Sequence, residues 1–158
     1  MKAGLRYVLE KTYRAEGAVI AHLQALLERH PAEHEVRHVS IDLLELSRSN
    51  REHLAAVAAE QDLDLTALEE DSEDHDATVQ GAGVEPGTPL GLLEDFRELL
   101  LRASGASLDW EMLAQHAQAA HERTLLDLAS QCHPQTLRQI AWANTMLKTS
   151  SPQALASQ

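Results

Sequence analysis

Residues 4–29 read GLRYVLEKTYRAEGAVIAHLQALLER. Within this stretch Leu5, Leu9, Thr12, Glu16, Val19, Leu23 and Leu26 recur at alternating spacings of four and three. That spacing places them on one face of an α-helix. A face of this length predicts a helix from about Gly4 to Arg29. His30-Pro31 ends it, because proline disfavours helical geometry in the residue before it. Two polar residues interrupt the apolar face, Thr12 and, at its centre, the carboxylate Glu16.

The next segment repeats the pattern. Val36, Ser40, Leu43, Ser47, Asn50, Leu54 and Val57 follow the same spacing. A second helix is therefore expected from near Pro31, a favoured first-turn residue, to about Gln61. Further along, Thr88 is a good N-cap and Pro89 a good first residue for a third helix. Its apolar face is Leu92, Leu93, Phe96, Leu99, Leu100 and Ala103, and Gly105 suits a left-handed stop. A fourth helix is expected from near Ser107 to about Cys132, with Leu113, Ala117, Ala120, Thr124 and Leu128 as its stripe. Pro134 then opens a short fifth helix through Ile140, Trp142 and Met146 to about Lys148.

Between the second and third helices, residues 62–87 hold nine acidic residues and no Lys or Arg. Leu63, Leu65 and Leu68 predict a short helical piece, followed by solvated coil and a glycine-containing loop. The formal net charge of −12 is thus concentrated in this crossover. An acidic linker and the lack of a basic stripe elsewhere argue against nucleic-acid binding. Aromatic residues are only 3% of the 158 residues, so Leu and Ala must fill the core, which favours packed helices over a β-sandwich. The single cysteine, Cys132, cannot form a disulfide within the chain and suits a reducing, cytoplasmic setting. No apolar run approaches membrane-spanning length, and the N-terminus lacks a signal-peptide pattern. The expected fold is one all-α domain over residues 1–158, a four-helix bundle of two antiparallel hairpins with a long crossover and a short fifth helix.

Two independent periodicities define a buried polar layer. If the first turn is centred near Pro31, Thr12 faces Asn50 and Glu16 faces Ser47. Four polar groups then share one level of the bundle. A mid-stripe carboxylate is costly unless paired, hydrogen-bonded or bound to metal.

The organisation resembles the ferritin-like superfamily. In its di-metal members two helices each give a Glu and two give a Glu-x-x-His. Glu16 matches the first carboxylate. Asn50-Arg51-Glu52-His53 matches a second-helix motif with Asn in place of Glu, and Gln118-Ala119-Ala120-His121 matches the other with Gln in place of Glu. Glu94 lies opposite Gln118 by turn arithmetic but points away from the core. Amides are weak neutral ligands, so a full di-iron centre does not assemble. The resemblance implies, at most, one iron or zinc ion held by Glu16, His53 and His121. The competing expectation is a hydrogen-bonded structural layer.

Other chemistry-bearing patterns are weak. His34 and His38 lie one turn apart, without a third ligand in view. His22 approaches that turn from the first helix. His116 and His121 fall on different sides of their stripe. Cys132-His133 diverge as adjacent helical side chains. No nucleophile elbow, phosphate loop or EF-hand occurs. The expected function is therefore association, as a homo-oligomer or an accessory subunit without a complete catalytic site. Trp142 and Met146 are its candidate docking residues. A divalent-metal-binding or redox protein is the alternative.

Overall fold

The computed structural model describes residues 1–68 and 84–157. Among the described residues there are four α-helices: α1 (Ala3–Arg29), α2 (His34–Ala59), α3 (Pro89–Ala119) and α4 (Arg123–Ala156). A 3-10 turn at Leu65–Ala67 follows α2, and no strand occurs among the described residues. Of the irregular acidic crossover expected at residues 69–87, residues 69–83 lie outside the described residues and 84–87 are irregular.

Helix α1 has the expected limits, and its C-cap N–H at His30 bonds back to the Leu26 carbonyl. Pro31 sits in the turn, and α2 begins at His34. The leucines after α2 have the role expected of them. Leu63 and Leu65 are buried, and the Asp64 side chain caps the 3-10 turn by accepting from the Thr66 N–H at 3.0 Å. At the start of α3 the Thr88 hydroxyl accepts from the Gly91 N–H at 3.0 Å. Glycine is required there for a packing reason: a Cβ on Gly91 would collide with the Glu85 carbonyl oxygen.

The second half of the chain differs from expectation in one connected way. Gly105 is not a stop. Helix α3 runs through it, because Phe96, Leu99, Ala103, Ala106, Trp110, Leu113 and Ala117 form a single buried line in phase on both sides of it. One interior glycine costs about 1 kcal/mol, too little to end a helix whose packing continues. The turn falls instead at Ala120-His121-Glu122, where His121 has a left-handed φ of 56°. Likewise there is no separate fifth helix. Pro134 and Pro152 lie inside α4, whose buried line Leu125, Leu128, Cys132, Thr136, Gln139 and Ala143 passes Pro134 unbroken. Pro134 is on the exposed side, where the helix can absorb the lost hydrogen bond.

Cross-helix contacts define the packing. Glu16 meets Trp110 and His22 meets Asp95, so α1 and α3 are antiparallel neighbours. Gln139 meets Leu43 and Ser47 while Cys132 meets Asn50, so α2 and α4 are also antiparallel neighbours. Two hairpins joined by the long α2–α3 crossover satisfy both pairings. One apolar cluster gathers Leu9, Tyr13, Leu54, Trp110, Leu113, Leu125 and Leu128. Another gathers Val19, Leu23, Leu43, Leu99, Ala103 and Ala143. Glu16 lies between them along α1. Leu26, Val36 and Phe96 close the end of the bundle beyond the second cluster.

Candidate functional site: a polar layer across four helices

Glu16 has no exposed surface. Its Oε1 accepts from the Trp110 indole N–H at 2.7 Å and from the Asn50 amide at 3.3 Å. The same Asn50 amide reaches the Cys132 carbonyl oxygen at 3.5 Å. Gln139 donates to the Ser47 hydroxyl at 2.7 Å and to the Leu43 carbonyl at 3.0 Å. All four helices therefore contribute to the layer. Glu16 Oε2 and Gln139 Oε1 have no well-formed hydrogen bond among the described residues.

Burial pushes the Glu16 carboxyl pKa up. The Trp110 N–H, the Ser47 hydroxyl, the Asn50 amide and the Arg51 charge pull it back, in that order. Burial also pushes the Cys132 thiol up to about 12, with the nearby Glu16 charge adding to the effect. A thiol so placed stays protonated and is a poor nucleophile. Outside the layer, the Arg51 guanidinium lies 4.1 Å from the centre of the Tyr13 ring. It packs against Gly17 so closely that a Cβ there would approach it to 3.3 Å.

Of the expected layer, Glu16, Ser47 and Asn50 come together. Thr12 is buried but turns back to bond the Val8 carbonyl at 2.7 Å, as helical threonines do. Trp110 and Gln139 complete the layer, and the stripes expected from the sequence do not contain them. Their signal is the phase of the α3 and α4 stripes, which emerges only when Gly105 and Pro134 are interior residues. A buried Trp N–H also needs an acceptor, and Glu16 is the acceptor in reach.

The ligand set implied by the resemblance is not assembled. Glu16 is enclosed, whereas His53 and His121 are exposed, with His121 in the α3–α4 turn. Glu94 and Gln118 are both exposed, and they lie on the same helix, α3, so they do not face each other. No group of three His, Cys, Asp or Glu residues stands in ligating proximity among the described residues. The donor chemistry also disfavours a cation at Glu16. Two N–H groups point at Oε1, which leaves Oε2 alone to ligate, and one carboxylate oxygen does not hold iron or zinc. Among the described residues, the side chains brought together around Glu16 do not fit an iron or zinc centre.

A second buried cluster fastens α1 to the start of α3. Asp95 is only 5% exposed. Its Oδ1 accepts from Arg29 at 2.9 Å and its Oδ2 meets His30 Nε2 at 2.6 Å. The Asp95 main-chain oxygen accepts from His22 Nε2 at 2.8 Å, which fixes the proton of His22 on that nitrogen. Burial lowers the His22 pKa, which favours the neutral ring, while the Asp95 main-chain bond and charge pull it back. His34 and His38 remain on the outer side of α2 and are exposed. No helix of the described residues is long and apolar enough to cross a membrane. Compared with models of protein families, with curated proteins and with solved structures, the chain shows no match.

Proposed function

We propose that this chain is an interaction protein, a ferritin-like bundle whose interior holds the frame while its outer surface docks another protein chain. The observation that carries this reading is a groove of about 430 Å³ between α2 and α4. Val36, Val39, Trp142 and Met146 form its apolar floor, and His34, Glu35 and His38 edge it. The Trp142 ring is held edge-on to Phe96, with centroids 5.6 Å apart, so it offers a rigid aromatic anchor at little entropic cost. By contrast, the Glu16 layer presents no surface to a substrate. Two hairpins, a long crossover and a polar layer shared by four helices support the ferritin-like reading. A single free cysteine, Cys132, accords with a cytoplasmic setting.

The test is a photo-crosslinking residue in place of Met146, introduced in cells of the source organism. The reading expects a discrete crosslinked species, with this chain or with another protein. Crosslinking no greater than at the exposed control position Glu52 would contradict it.

A further inference from the structure

Helix α3 carries a second apolar line. Leu101, Leu108 and Met112 are 52%, 66% and 44% exposed. With Gly105 they follow a four-three-four spacing, on the side of the helix opposite the buried line from Phe96 to Ala117. A Cβ on Gly105 would meet nothing within 4 Å among the described residues, which leave this face open at its midpoint. Leu137 of α4, 50% exposed, borders it. The contact between Ser107 and His133 at 2.8 Å fixes a hairpin register that sets Leu137 alongside residues 103–104 of α3.

We propose that this face is covered by α3 of a second copy of the chain, antiparallel, about a two-fold axis beside Gly105. The proposal rests on the association reading above and names its partner and surface. The sequence of the face is self-complementary about that axis. Each Leu101 meets Leu108 of the partner subunit, and Gly105 at the crossing lets the two helices approach closely. The same axis sets Arg97 beside Glu111 of the partner subunit on one flank. On the other flank it sets Glu94 beside His116 of the partner subunit. Arg97 is 56% exposed and Glu111 is 52% exposed, so both are accessible to a second chain. A parallel pairing would instead place Arg97 on Arg97 and Glu111 on Glu111, and like charges across an interface disfavour it.

Sedimentation equilibrium of the full chain tests the proposal. The wild type should have twice the 17.4 kDa mass of one chain. Leu108→Glu should give a monomer with unchanged helical circular dichroism, because Leu108 faces solvent in the single chain. Arg97→Glu and Glu111→Arg should each weaken association roughly tenfold, and the two combined should restore it. A monomeric wild type above ~100 μM would overturn the proposal. So would a dimer that survives Leu108→Glu, or charge reversals whose effects add when combined. If Met146→Glu abolishes the dimer and Leu108→Glu does not, the α3 inference falls and the groove reading stands. If an α3 dimer forms and position 146 does not crosslink, the α3 inference stands and the groove reading falls.

Discussion

Glu16 carries a carboxylate into a space lined by two N–H donors and two apolar clusters. The donors hold it in place, while burial penalises its charge. Glu16→Gln should therefore be neutral or stabilising at neutral pH, since an amide oxygen still accepts from Trp110 and Asn50. Glu16→Leu should cost about 1–3 kcal/mol in urea unfolding, because it strands both donors. The pH dependence follows from the sign of the shift. The folded state binds the Glu16 proton more tightly than the unfolded chain, so the Glu16 contribution is full below 4.5 and is lost as pH rises through the raised folded pKa. His22 acts in the opposite sense. Its lowered pKa gives a contribution present above 6.5 and lost as pH falls through the folded value. Stability measured against pH should show a falling limb that Glu16→Gln removes and an acid-side loss that His22→Phe reduces. At this scale the sequence is legible where a polar residue interrupts a stripe, as at Glu16, Ser47 and Asn50. Asp95, Arg29 and His30 are not legible, because their meeting depends on how the end of α1 docks on α3, which periodicity within either helix does not contain.

Helices α1 and α2 are readable because their apolar spacing and the Pro31 punctuation agree. In the second hairpin the two signals conflict. Gly105 and Pro134 are strong local breakers, and reading them as boundaries misplaces the turn, whereas the phase of the buried line runs straight through both. Packing prevails in α3 and α4. Replacing a proline that merely interrupts an exposed side should then help: Pro134→Ala should raise stability, by up to about 3 kcal/mol. Were Pro134 the first residue of a separate helix, the same change would be neutral or harmful. Gly91→Ala should destabilise, because its methyl group would collide with backbone at Glu85. Chemical unfolding of both variants, with helical content followed by circular dichroism, checks the two expectations together.

For the molecule as a whole, the structure separates polar groups in its interior from apolar patches on its outer surface. The inside is a frame, closed around the Glu16 layer and the Asp95 cluster. The outside keeps apolar surface on α3 and beside Trp142 that the described residues of one chain leave open. The division holds only if the interior is a hydrogen-bonded layer and not a metal centre, since a bound ion that supported the fold would make the same residues a functional site. Thermal melting of the wild type and of Glu16→Gln, each with and without EDTA, in protein purified without a His-tag, separates the two. With a hydrogen-bonded layer, EDTA should leave the wild-type Tm unchanged, and Glu16→Gln should melt at the same or a higher temperature. A large fall in wild-type Tm with EDTA, absent in Glu16→Gln, would contradict it.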